Sequence, residues 1–147
     1  MIRQNREAFG VRPVPMKTIG RILLEHHKNS DPSLTLFLGD QRPQYHQIQY
    51  WTKFMGQDTP MFLGTEKLAR KLDAAVVFLN VRKVRRGRYE VEVRLICESP
   101  DGLKPYEITE RHVAMLEDLI REEPAWWLWS HRRWKHSYEK FLKDQEG

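Results

Sequence analysis

Ala75-Val76-Val77-Phe78-Leu79-Asn80-Val81 is a nearly unbroken apolar run, and how it continues decides the fold. Seven residues rich in β-branched side chains are short for a helix and suit a strand buried on both faces. Arg85-Arg86-Gly87-Arg88 then supplies turn chemistry, and Tyr89-Glu90-Val91-Glu92-Val93-Arg94-Leu95 alternates strictly. That alternation predicts an antiparallel partner with one wet face, near a sheet edge.

Upstream, Leu34-Thr35-Leu36-Phe37-Leu38 reads as a second buried strand. Thr18 is placed to cap a helix over Ile19 to His27, with Ile22 and Leu23 facing inward. The prolines of Val11-Arg12-Pro13-Val14-Pro15 keep the preceding chain extended. Met1 to Gly10 reads as the tail of a helix, with Gly10 at its C-cap. Residues 44 to 60 read as a long irregular segment holding Tyr45, His46, Tyr50, Trp51 and Phe54, either a functional loop or lid or a segment its aromatics pin to the core. A helix follows from Pro60-Met61-Phe62-Leu63-Gly64-Thr65-Glu66 to about Leu72, capped by Gly64 or Thr65, with Leu68 and Leu72 as its inner stripe. Thr109 caps another through about Glu122, with Val113, Leu116, Leu119 and Ile120 inward. Tyr138 to Gly147 is charged and reads as a frayed tail. Two buried strands, crossing helices and a hairpin give an α/β fold with a mixed sheet.

The 147 residues fit one domain or a large piece of one. Twenty-five Lys and Arg against twenty Asp and Glu give a net charge of +5 and a pI near 9.4. That excess favours acidic partners without choosing among them: nucleic acid, an anionic membrane face, phosphorylated lipid or an acidic carrier protein. Cys97 is the single cysteine, so neither an internal disulfide nor a cysteine-rich metal site can form. No apolar run approaches the ~20 residues of a membrane span, and no signal peptide opens the chain.

Chemistry concentrates in Pro124-Ala125-Trp126-Trp127-Leu128-Trp129-Ser130-His131-Arg132-Arg133-Trp134-Lys135, which gathers four of the five tryptophans. Indoles want a covered site or an interface, and arginine pairs bidentately with phosphate or carboxylate. The strip reads either as an anion-handling ridge clamped by indoles or as a C-terminal helix with core indoles and a wet basic face. Gly39-Asp40-Gln41-Arg42-Pro43 lies at a strand's carboxyl end, where α/β folds bind ligands, so it is a second candidate. Arg82, Lys83, Arg85, Arg86 and Arg88 are either a solvated hairpin tip or a contact for an anionic partner. His26 and Asp31 have a His-x4-Asp spacing but stand at a helix end on the far side of the strand from Asp40, so no catalytic role is assigned to them.

Gly39-Asp40-Gln41, Gln57-Asp58-Thr59-Pro60, Gly64-Thr65-Glu66-Lys67-Leu68-Ala69-Arg70-Lys71 and Leu128-Trp129-Ser130-His131-Arg132-Arg133-Trp134-Lys135 follow the order and spacing of a known family. From about Asn5 to His136 the chain resembles the bacterial lipid A biosynthesis acyltransferases of the lysophospholipid acyltransferase superfamily, in a variant like that of the Bacteroidetes. The resemblance implies a partial three-layer α/β/α domain, with residues 1 to 147 its C-terminal part. It implies transfer of a fatty acyl group from acyl carrier protein to a lipid A precursor, at the cytoplasmic face of the bacterial inner membrane, with no metal and no organic cofactor. The family's catalytic His-x4-Asp/Glu motif and membrane helix would lie upstream, leaving these residues inactive alone and cytoplasmic if isolated. Asp40, Gln41 and Arg42 would line the cleft, Thr65 and Glu66 would open a helix facing it, and His131, Arg132 and Arg133 would hold phosphates or the cleft wall. An ion pair of Arg132 or Arg133 with Asp40 or Glu66 is the structural alternative. Arg82, Lys83, Arg85, Arg86 and Arg88 would meet the anionic membrane or the carrier, and an exposed sheet edge would open the way to homo-oligomers. The competing function is a basic-aromatic nucleic-acid-binding module, disfavoured if Trp127 and Trp129 are buried; no nucleic-acid partner is expected.

Overall fold

A computed structural model describes Glu7 and residues 10 to 146 and divides the chain into two compact units, Met1–Leu36 and Phe37–Gly147. In the first unit α1 spans Met16–Lys28 and buries Leu23. Pro15 is its N-cap, so Thr18 lies inside the helix, where its hydroxyl donates to the Pro15 carbonyl at 3.0 Å. Proline at this boundary needs no donor, which makes the expected threonine cap superfluous. Gly10 takes φ +77, as a helix C-cap would; the rest of the expected Met1–Phe9 helix falls outside the described residues apart from Glu7.

The expected buried strand at Leu34–Leu38 is a correction. The segment pairs with no strand among the described residues, and Leu34 is 93% exposed. An apolar run becomes a buried strand only where neighbours bond its edges and cover its faces.

The second unit contains two antiparallel hairpins. β1 (Tyr50–Phe54) pairs with β2 (Gln57–Met61), and β3 (Val76–Arg85) pairs with β4 (Arg88–Cys97). The α/β class is as expected, in the form of helices with two small antiparallel sheets. The irregular lid expected over residues 44 to 60 is instead a 3-10 turn at Tyr45–Gln47 followed by the first hairpin. Met55 and Gly56 take φ +51 and +77, the two positive angles of a type I′ turn matched to strand twist.

α2 (Gly64–Leu72) buries Glu66 and Ala69, while Leu68 and Leu72 are half-buried. Its N-cap is Leu63, so Gly64 and Thr65, the expected caps, lie inside the helix. α3 (Glu107–Glu122) buries Ile108, Val113, Leu116 and Ile120, close to the expected stripe. Its N-cap is Tyr106, so Thr109 is helical and does not cap it. The core joins Phe54, Met61, Ala69, Phe78, Ile96, Cys97, Ile108, Val113, Leu116 and Ile120, with Trp127 and Trp134 packed against it.

After a short 3-10 turn at Pro124–Trp126 the tryptophan strip runs without regular structure to α4 (Tyr138–Glu146). The tail is therefore a helix, not a frayed end. Trp51 packs on Tyr138 and Phe141, and the Tyr45 hydroxyl donates to Asp144 at 2.6 Å. Aromatics from the first hairpin supply the partners that a charged nine-residue helix lacks by itself.

β3 was expected to be buried on both faces. Only Phe78 and Asn80 are, and from Val81 to the turn every residue is exposed. β4 is likewise exposed apart from half-buried Arg94 and buried Ile96 and Cys97. One face of this hairpin meets α3, while Val77, Leu79, Val81, Val91, Val93 and Leu95 on the other are 40–62% exposed.

Candidate functional site

Arg42 ties the Asp-Gln corner to the tryptophan strip. Its backbone N–H donates to His131 Nε2 at 3.3 Å, and its Nε donates to the Arg132 carbonyl at 3.0 Å. Its Nη1 lies 3.1 Å from His136 Nε2. A backbone amide and a guanidinium only donate, so His131 and His136 accept through Nε2 in these ties. Burial, Arg42 and Lys135 push the His136 imidazole below the usual histidine range, while a hydrogen bond to the Pro43 carbonyl opposes them. Residues some ninety positions apart are thereby held in one place by a single side chain and its own amide.

Behind this latch Arg133 is 1% exposed. Its guanidinium lies 5.6 Å from the Phe54 ring centroid, and Nη2 donates to the Met61 sulfur. Nε and Nη1 are buried and have no hydrogen-bond partner among the described residues. Burial lowers the guanidinium pKa to about 10, and the Arg42 charge adds to that, against the pull of Asp40. Arg133 therefore stays cationic near neutrality, with two donors unmet, a costly arrangement in an apolar core. Asp40 is half-buried and within electrostatic reach, yet it closes no ion pair with Arg133.

His112 is a member of this group that the sequence reading passed over. It sits on α3 with its ring edge-on to Phe78 at 5.7 Å. Burial first, and then the Arg133 charge, lower its pKa; Asp40 pulls the other way. A side chain at Gly39 would put its Cβ 3.2 Å from the His112 ring, so glycine permits this close approach. A glycine before Asp-Gln was a visible signal, but nothing local identified His112 as its neighbour.

The other expected residues are placed as follows. Arg132 is exposed and contributes its carbonyl to the latch, while Gln41 is exposed and makes no hydrogen bond among the described residues. Thr65 is half-buried in the first turn of α2. Glu66 is 4% exposed and spends its carboxylate on the start of α3. It accepts from the Tyr106 N–H at 2.7 Å, the Thr109 N–H at 3.0 Å and the Thr109 hydroxyl at 2.6 Å, with Arg70 Nε at 2.9 Å. Burial would raise its pKa, but these bonds outweigh it and hold the carboxyl below the ordinary range. A carboxylate at a helix N-terminus meets free N–H groups and the positive end of the dipole. The ion pair considered for Glu66 is made with Arg70, and neither Arg132 nor Arg133 takes part.

The indoles divide into two sets. Trp127 and Trp134 lie over Phe54 at 5.9 and 6.2 Å, and the Trp134 N–H donates to Thr59 at 2.9 Å. Trp126, Leu128 and Trp129 are more than half exposed. So Trp127 is half-buried in the core while Trp129 is not, and the indoles form neither an open stacking platform nor a fully buried clamp. In the basic run, Arg82 pairs with Glu122 and Lys83 sits 4.8 Å from the Trp126 ring. Arg85, Arg86 and Arg88 are exposed, with no ion pair among the described residues. His26 Nδ1 is buried and lies 3.7 Å from the exposed Asp31 carboxylate, too far for a hydrogen bond.

Among the described residues no group of His, Cys, Asp and Glu is arranged to hold a metal ion, and no helix is long and apolar enough to cross a membrane. No curated protein and no solved structure matches the chain. The family described as Bacterial lipid A biosynthesis acyltransferase matches residues 1–136, over nine-tenths of the length and including the Asp-Gln corner, the latch and buried Arg133. The chain belongs to that family of acyltransferases.

Proposed function

We propose that residues 1–147 form the substrate-holding, C-terminal part of one acyltransferase domain that moves a fatty acyl group from acyl carrier protein to a hydroxyl of a lipid A precursor. The setting is the cytoplasmic face of the bacterial inner membrane. The observation that carries this reading is the buried Arg133 guanidinium with two unmet donors, held behind the Asp40–Arg42 corner. A phosphorylated glycolipid and a carrier's phosphopantetheine both offer oxygens that such a fork can hold. Asp40 and Gln41 present an acid and an amide at the same corner for a sugar hydroxyl or an acyl amide.

In this reading Arg42 and His131 position the corner, and Arg132 faces solvent as an electrostatic attractor. Glu66 serves the site by fixing α2 against α3, and Thr65 stands beside it in the first turn of α2. The proton-moving His-x4-Asp/Glu pair comes from outside these residues, because His26 and Asp31 do not stand at the family's motif position and are 3.7 Å apart, beyond a hydrogen bond. The exposed arginines at the hairpin tip suit an anionic membrane surface or an acidic carrier, with affinity falling as salt rises.

The test is acyl transfer from acyl carrier protein by the chain as given and by the chain joined to an upstream family segment bearing the histidine motif. The first is expected to be inactive and the second active, with Arg133→Met lowering its kcat/KM by about a hundredfold or more. Turnover by residues 1–147 alone would overturn the assignment of the catalytic pair to other polypeptide.

A further inference from the structure

We propose that His112 is a positioning residue of the acyl-transfer site: from α3 its imidazole forms the seat on which Gly39 rests, and so sets how Asp40 and Gln41 face the acceptor. This role rests on the acyl-transfer reading.

Gly39 is not among the residues with positive φ, so its backbone angle does not call for glycine. The space beside it does. A Cβ there would lie 3.2 Å from His112 Cε1 and 3.4 Å from His112 Nε2. Chain neighbours aside, no other described residue comes within 4 Å of that point. One ring edge thus meets the corner, and Asp40 follows directly after the contact.

The seat is rigid. His112 stands one turn after Ile108 and one turn before Leu116, both buried, and Phe78 of β3 lies edge-on to its ring at 5.7 Å. The Glu66 carboxylate of α2 fixes the start of α3 through the Tyr106 and Thr109 N–H groups. A ring held by helix and strand gives the corner a fixed reference that a loop cannot supply for itself.

Packing alone does not call for histidine. The ring is half-buried, and neither nitrogen makes a hydrogen bond among the described residues. An apolar side chain between Ile108 and Leu116 would fill this space without desolvating polar atoms. The imidazole adds chemistry instead. Burial and the Arg133 charge favour its neutral form, against the pull of Asp40. A neutral imidazole carries one donor and one acceptor. Beside it stand Arg133, with two unmet donors, and Asp40, an acceptor. A phenyl ring at this position would answer neither.

A double-substitution cycle on the chain as given tests the seat. Gly39→Ala is expected to lower the midpoint of urea unfolding, and about half or more of that shift is expected to vanish beside His112→Ala. The chain joined to an upstream family segment tests the role. There His112→Phe is expected to lower kcat/KM for the lipid acceptor about tenfold, with KM for acyl carrier protein unchanged. His112→Gln, which keeps a donor and an acceptor, is expected to retain about a third or more of the parent value. A side chain that only packs gives the reverse order, with Phe tolerated and Gln not. That reversal would overturn the proposal, as would a Gly39→Ala shift indifferent to His112→Ala. If His112→Phe does not fold, His112→Leu takes its place in the comparison. A joined parent without turnover would overturn the acyl-transfer reading instead, and the cycle would then decide by itself whether His112 seats the corner.

Discussion

The two hairpins share a pairing pattern and differ in nearly everything else. Gln57-Asp58-Thr59-Pro60-Met61 looks polar in sequence, yet Thr59, Pro60 and Met61 are buried. Val91-Glu92-Val93-Arg94-Leu95 looks like an ideal amphipathic strand, yet its apolar side is the exposed one. The difference lies in what reaches each hairpin. The tryptophan strip, α4 and the core all close on β1–β2, with Trp134 bonding Thr59 and Arg133 bonding Met61. On β3–β4, among the described residues, the face toward α3 is covered while Val91, Val93 and Leu95 on the other stay exposed. Hydropathy sets which surface gains from burial, and tertiary contact sets whether it is buried.

The sharpest way to break this contrast is Phe54→Ala. Phe54 is fully buried under Trp127, Trp134 and the Arg133 guanidinium. Its truncation should cost about 4 kcal/mol in urea denaturation. A loss below ~1 kcal/mol would mean that the first hairpin is not the anchored one.

Glu66→Ala should follow at about 3 kcal/mol, because it strands the N-terminal donors of α3 and the Arg70 charge. The pH dependence gives the sign. With its pKa lowered in the folded chain, the contribution of Glu66 is complete above the ordinary carboxylate range. It is lost as pH falls through the folded value. The alanine variant should therefore show a flatter acid limb in thermal melts.

Tyr50→Phe sharpens the comparison at alkaline pH. Tyr50 stacks on Tyr106 at 4.1 Å, and its hydroxyl donates to Glu110 at 2.6 Å; burial pushes its pKa up to about 12. The folded chain keeps this proton longer than the unfolded one. The contribution, about 1.5 kcal/mol, is thus present below pH ~10 and is lost as pH rises toward 12. Arg133, lowered to about 10, acts with the opposite sign in the same window, so the effect is read as the difference between Tyr50→Phe and the parent.

The smallest effect belongs to the β3–β4 hairpin. Val91→Thr in dilute protein should change stability by less than about 0.5 kcal/mol, since no packing is lost. A larger loss at low concentration would show that the face is covered within one chain.

Legibility followed the same division. α3 was readable because its 3.6-residue stripe is long and faces a single core. The β3–β4 turn was readable from Gly87, which takes the positive φ of 75 that the turn requires. The first hairpin was missed because its turn, Met55-Gly56, carries half the usual signal and its strands lack alternation. Of the candidate site, the Asp-Gln corner and the arginine strip stood out by residue type. His112 and the latch of Arg42 on His131 and His136 did not, because each joins residues far apart in the chain.

By itself the sequence determined the family, the α/β class, the helix stripe of α3 and which residue types could meet an anion, since propensity, period and side-chain chemistry are local properties. Only the tertiary structure decided that Arg133 turns inward and Arg132 outward, and that Glu66 closes a helix. It also decided that Leu34–Leu38 forms no strand and that the more apolar hairpin keeps a face in water. Burial and hydrogen-bond partners depend on which distant segments arrive, and no window along the chain contains that information.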